Sequence, residues 1–176
     1  MNRNFILAAF LALTASCSQK ENAPDYTKMS DEERLKAAIE IAQSTIMVDG
    51  HVDLPYRMKV GGFTLQREIL DVSVRTPDGN FDYPRSKDGG LDAPFMSIYI
   101  PASYERTGGG YQLANQLIDS MEALVGRAPD KFAMAYRSDD LAVQFKQGKI
   151  SLALGMENGT PINGKIENLR HFYRVF

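Results

Sequence analysis

Three apolar runs, separated by segments of helical pattern, constrain this chain more than any other feature. They are Thr45–Asp49 (TIMVD), Phe95–Ile100 (FMSIYI) and Ile150–Met156 (ISLALGM). Each is short, apolar and bounded by turn residues, which is the signature of a buried strand. Ahead of the first run, Ser30 and Glu33 have capping-box spacing and an acidic turn follows, so a helix is expected over residues 31–43 with Leu35, Ala38, Ile39 and Ala42 as its stripe. Between the second and third runs, Tyr111–Val125 places Leu113, Leu117, Ile118, Met121, Leu124 and Val125 on one helical face. Phe132–Tyr136 reads as a short strand, and Ser138-Asp139-Asp140 opens a helix that runs to about Gln147, with Gly148 as its stop. A last helix is expected over Asn168–Phe176. Residues 56–92 carry Pro77, Gly79, Pro84, Gly89 and Gly90 and read as irregular, with a short helix around Thr64–Leu70. Strands alternating with helices imply a parallel sheet built from βαβ units, an α/β fold.

The chain has 176 residues, 44% of them hydrophobic and 24% charged, which is the composition of a folded globular domain. The length suits one domain but is short for a closed (β/α) barrel, which takes ~250 residues. Net charge is −2 and no basic stripe is present, so no nucleic-acid partner is expected.

The first 17 residues read as an address. Arg3 supplies the positive start, Phe5–Leu13 is apolar, and small residues lead to Cys17. The run is too short to span a bilayer, which takes ~20 residues. Leu13-Thr14-Ala15-Ser16-Cys17 looks like a bacterial lipobox. Residues 1–16 are therefore expected to be a signal peptide, Cys17 to be lipidated, 17–29 to be a polar tether and 30–176 to be the N-terminal part of a truncated barrel domain. Cys17 is the single cysteine, so no internal disulfide is available. The expected location is the bacterial cell envelope, by export and membrane anchoring, in the periplasm or at the cell surface.

Chemistry concentrates at two strand ends. In Asp49-Gly50-His51-Val52-Asp53, residues two apart share a strand face, so Asp49, His51 and Asp53 are expected to point the same way. Imidazole nitrogen and carboxylate oxygen are both zinc donors, although a bare His-x-Asp is equally a hydrogen-bonded structural pair. In the third run, Ser151, Ala153, Gly155 and Glu157 share one face and Leu152, Leu154 and Met156 the other. Glu157 then emerges at the same rim, where barrel enzymes place their active sites; its bland reading is an exposed loop carboxylate. One His, one Asp and one Glu at a barrel mouth look like part of a two-metal hydrolase site. His171, the other histidine, lies on an amphipathic helix and reads as structural.

These residues resemble the membrane (renal) dipeptidase family of zinc metallopeptidases, over about Ile46–Phe176. VDGHVDLP resembles the family's first-strand metal motif. Asp82-Tyr83-Pro84-Arg85, Gly89-Gly90 and Ala93–Tyr99 resemble the approach to its second strand. Ala153–Gly159 (ALGMENG) resembles its bridging-glutamate strand, with the Asn168–Tyr173 helix after it. The resemblance implies an incomplete (β/α)8 TIM-type barrel of the metal-dependent hydrolase kind, about its first three strands with their helices. It implies two zinc ions per complete site, with His51 and Asp53 on one ion and Glu157 bridging both. It also implies dipeptide hydrolysis by a metal-bridged hydroxide. Strand phase adds Asp49 and Tyr99 as pocket residues. The family draws its second-metal histidines from later strands, so this chain alone is expected to be inactive, and an open partial barrel would expose sheet edges and apolar helix faces, so it is expected to be poorly soluble. A homodimer is a further expectation for the complete enzyme. The rival readings are a non-catalytic surface lipoprotein and another amidohydrolase-type hydrolase, such as a deaminase or cyclic-amide hydrolase.

Overall fold

The computed structural model describes residues 24–60, 71–77 and 79–176. The expected signal peptide, Cys17, the first part of the tether and the short helix around 64–70 lie outside these residues.

The first helix, α1 (Asp31–Ser44), starts as its sequence requires: Ser30 Oγ accepts from Glu33 N, and Glu33 reaches back to Ser30 N at 2.8 Å. Then come β1 (Met47–Val52) and α2 (Leu54–Val60), followed by α3 (Tyr83–Gly89), β2 (Leu91–Tyr99) and the short α4 (Ser103–Thr107). The long α5 (Gly110–Arg127), β3 (Phe132–Met134), α6 (Ser138–Lys146), β4 (Ile150–Glu157) and α7 (Ile166–Val175) complete the order. No helix of the described residues is long and apolar enough to cross a membrane.

Every strand pairing is parallel, and the order across the sheet is β1-β2-β4-β3. The three expected strands are thus neighbours, and β3 is a three-residue strand on the outer edge of β4. The β2–β4 register runs unbroken from Phe95↔Ala153 to Tyr99↔Glu157. The two strands therefore end level, which fixes where their last side chains project.

One face of this sheet carries the core. Met96, Ile98 and Ile100 alternate along β2 and its exit, and Ile150, Leu152 and Leu154 along β4, all buried. On them lies α5 with Leu113, Ala114, Leu117, Ile118, Met121 and Leu124 buried. Phe132 and Phe172 close the same cluster. Each fully buried aliphatic side chain stabilises the fold by about 1.5–3 kcal/mol, so the α5 stripe read from the sequence is the principal seam.

Three expectations change. The first strand is not buried: it runs from Met47 to Val52, Thr45 stands outside it as the cap of α1, and only Val52 is even half-buried. Among the described residues β1 has a single sheet neighbour, β2, and α1 covers little of it; Leu35 and Ile39 of the α1 stripe are exposed too. The segment from 56 to 92 is not irregular throughout, since it holds most of α2, all of α3 and the start of β2. Pro55 and Pro84 each occupy the second position of a helix, where the missing N–H has no intrahelical acceptor to lose. The last helix begins at Ile166, two residues before its expected start.

Candidate metal centre

The two strand ends meet. His51 Nε2 lies 3.2 Å from Asp53 Oδ1 and 3.4 Å from Glu157 Oε2. One donor atom from each of the three residues falls within 4.8 Å of the others. The residues stand on three kinds of local structure. His51 is the second-last residue of β1. Asp53 follows that strand, and its carbonyl accepts from Arg57 N at 3.1 Å as the first bond of α2. Glu157 is the last residue of β4.

A bulge brings His51 into place. Between Asp49↔Pro94 and Val52↔Met96, β1 advances three residues while β2 advances two. The extra residue breaks strict alternation and re-aims the side chains around it. Asp49 is taken up by the bulge, because its Oδ1 accepts from His51 N at 2.9 Å. The structure therefore groups His51, Asp53 and Glu157 and leaves Asp49 outside that group, holding the backbone of the histidine.

The set fits a divalent ion on its own chemistry. It offers one borderline nitrogen and two hard oxygens, and it is half open to solvent, with side-chain exposures of 54%, 51% and 42%. Tetrahedral zinc with bonds of about 2.0–2.1 Å has donor-to-donor edges of about 3.3–3.4 Å. The two imidazole–carboxylate separations match that edge. Two carboxylates also converge on one imidazole, a charge arrangement that favours a bound cation.

Tyr99 ends β2 directly across from Glu157, and its ring packs edge-on against Tyr56 of α2 at a centroid distance of 4.9 Å. Beyond the same strand ends lies a cavity of about 740 Å³, lined by Tyr104, Gly109, Asn158, Lys165 and Asn168 among others. Asn158, the residue after Glu157, is turned to the Ile100 carbonyl and so ties the exit of β4 to that of β2. His171 stands apart from the metal group: its Nε2 is 2.7 Å from Asn115 Oδ1 of α5, and its ring packs beside Tyr111 and Phe172. That is the structural place the sequence gives it.

Sequence reasoning missed Ser97. This buried serine of β2 donates from Oγ to Glu157 Oε2 at 2.7 Å. The available signal was a lone hydroxyl inside an apolar strand, in phase with Tyr99.

Comparison with known proteins bears on the family and the fold. The family model for membrane dipeptidase (peptidase family M19) matches residues 35–175. The chain is 27% identical over 158 residues to dipeptidase verJ of Clonostachys rogersoniana, covering 82% of this chain and 39% of that protein. It is 26% identical over 147 residues to dipeptidase 3 of Mus musculus, covering 83% and 28% respectively. Among solved structures, the probable dipeptidase PvdM from Pseudomonas aeruginosa superposes with a TM-score of 0.65 at 15% identity, over 83% of this chain and 36% of that one. A metallopeptidase from Rhodobacter sphaeroides, liganded with a phosphinate mimic of the dipeptide L-Ala-D-Ala, superposes with a TM-score of 0.58 at 18% identity, over 74% and 43%. These likenesses show the fold. The chain spans roughly a third of the length of the curated relatives it matches. With its parallel sheet and a family match over most of its length, the chain belongs to the membrane dipeptidase family, peptidase family M19.

Proposed function

We propose that the protein hydrolyses dipeptides with zinc, and that His51, Asp53 and Glu157 are this chain's share of a two-ion site. The observation that carries this reading is the convergence of one imidazole and two carboxylates, with donor atoms within 4.8 Å of one another, on the ends of two parallel strands. When bound, zinc supplies Lewis acidity to the scissile carbonyl and lowers the pKa of the attacking water. The chain's own residues do the holding. His51 gives its Nε2 lone pair and Asp53 one carboxylate oxygen, both from rigid positions at the mouth of the sheet. Glu157 has two oxygens, and a carboxylate can span two ions with them. Tyr99, level with Glu157 and braced by Tyr56, forms one wall of the substrate pocket.

The same proposal extends to cellular context. Cys17 carries the lipid, the tether sets the catalytic domain off the bacterial envelope membrane, and the complete enzyme is a homodimer. The dipeptide substrate class draws support from the dipeptidase relatives and from the dipeptide mimic in the Rhodobacter metallopeptidase.

The test is a panel of alanine variants at His51, Asp53 and Glu157 in the complete protein. Each should lose metal, read by elemental analysis after gel filtration, and should lower kcat/KM on dipeptides at least 100-fold. A triple variant that keeps full dipeptide turnover would reject the assignment. A protein that takes up zinc but cleaves no dipeptide would favour the non-catalytic lipoprotein or a different amide hydrolase.

A further inference from the structure

We propose that Ser97 is a positioning residue for the metal site: its hydroxyl fixes the Glu157 carboxylate in the orientation that accepts an ion. This inference rests on the metal reading above and adds a residue to it.

Ser97 is 4% exposed, in the middle of β2. The register pairs Ser97 with Gly155 and Tyr99 with Glu157. Serine and glutamate are thus diagonal neighbours on one sheet face, within reach of each other's side chains. Gly155 puts no side chain between them. The resulting bond is 2.7 Å long, from a neutral hydroxyl to a carboxylate, and charge-assisted bonds of this kind are among the stronger ones.

The oxygen that Ser97 holds is also the one nearest the imidazole, with Glu157 Oε2 3.4 Å from His51 Nε2. Ser97 is therefore tied to the donor atom that faces the rest of the set. The glutamate side chain is 42% exposed, and an exposed glutamate that nothing holds samples several rotamers. Losing that freedom on metal binding costs free energy, which a preformed hydrogen bond reduces. A hydroxyl has one proton, and this geometry commits it to Oε2. Hydrogen-bonded partners of metal ligands commonly contribute 10- to 100-fold in metal affinity.

The experiment measures Co(II) binding by the complete protein, from the visible ligand-field band and by competition with a chelator of known affinity. Wild type is compared with S97A, S97T, S97V and E157Q. S97T and S97V are nearly isosteric and differ in the hydroxyl. S97A and S97V should weaken Co(II) binding 10- to 100-fold, S97T should stay within about threefold of wild type, and the urea midpoints of S97T and S97V should agree. Wild-type affinity in S97A and S97V would overturn the proposal, as would an S97T as weak as S97V, since that would mean packing rather than the hydroxyl matters. If wild type and E157Q both show no Co(II) band, the metal reading itself fails and this inference falls with it.

Discussion

Asp82 is the most deeply committed carboxylate among the described residues, and it holds structure rather than chemistry. It is fully buried, caps α3 by accepting from Arg85 N at 2.8 Å, and accepts from Thr76 N and Oγ1 at 3.0 Å each. The Arg85 guanidinium also contacts it. Burial pushes its pKa up, but the backbone and Thr76 hydrogen bonds and the Arg85 charge outweigh that, so the carboxyl sits below its ordinary value. A group depressed in the folded state stabilises it fully above the unfolded pKa, about 3.9 for aspartate, and loses that contribution as pH falls through the folded value. D82N keeps a capping side chain and removes the charge. The urea-unfolding gap between wild type and D82N should therefore be widest near neutral pH and should shrink below about pH 4. A gap that stays constant down to about pH 2 would contradict this account. At this scale the grouping of His51, Asp53 and Glu157 was legible, because all three are polar residues placed abruptly at the ends of apolar runs. The turn of Asp49 toward the His51 backbone escaped, because an alternation argument cannot see a bulge. Ser97 was passed over because one hydroxyl in a strand has no pattern of its own, and its role depends on a partner 60 residues away.

Elements were legible where one apolar period runs long enough. The α5 stripe, the β4 alternation and the α1 capping box were each readable without tertiary context. What escaped were α2 and α3, whose prolines and glycines read as loop signals, and the five-residue α4, which Pro101 and Gly108 flank. In α3 the same residues are end markers: Asp82 caps it, Pro84 sits in its first turn, and Gly90 closes it in the left-handed region at φ 78°. Gly90 also decides how α1 docks. A Cβ there would lie 2.8 Å from both the Ala42 Cβ and the Ala42 carbonyl oxygen. Beside that contact, Gln43 Nε2 donates to the Lys87 carbonyl at 2.7 Å. Most of the remaining α1 surface is exposed, so this junction is its main anchor. G90A combines an unfavourable φ with a backbone clash, and should cost about 1–3 kcal/mol. Hydrogen–deuterium exchange should show the loss first in α1 and in the last turn of α3, with α5 still protected. Uniform loss of protection across α5 would mean that α1 is part of the core unit.

For the molecule as a whole, the unequal distribution of burial matters most. The face under α5 is closed, while β1 lies at the edge of the sheet order with Met47 and Val48 exposed. Leu35, Ile39 and Ile41 of the neighbouring α1 add further exposed apolar area. The fold class was legible because parallel pairing follows from strand–helix alternation. Exposed sheet edges were expected of an open partial barrel; that β1 is the exposed strand was not, because an apolar strand reads as buried whether or not its cover is present. An edge strand with free N–H and C=O groups and apolar side chains is a template for pairing with another chain, and a contiguous apolar patch promotes association. The 176-residue chain should therefore self-associate at tens of micromolar, seen by sedimentation velocity as species heavier than the 19.6 kDa monomer. Val48→Lys places a charge on the exposed strand, where Val48 is 53% accessible and makes no core contribution. It should shift the distribution toward monomer while leaving the thermal midpoint within about 3 °C, as expected of a surface change of under about 0.5 kcal/mol. Association that is unchanged in Val48→Lys but abolished by a lysine at Leu35 or Ile39 would assign the contact to the helix face instead. A wild-type chain that sediments as a clean monomer would show that this apolar edge is too small or too twisted to recruit a partner.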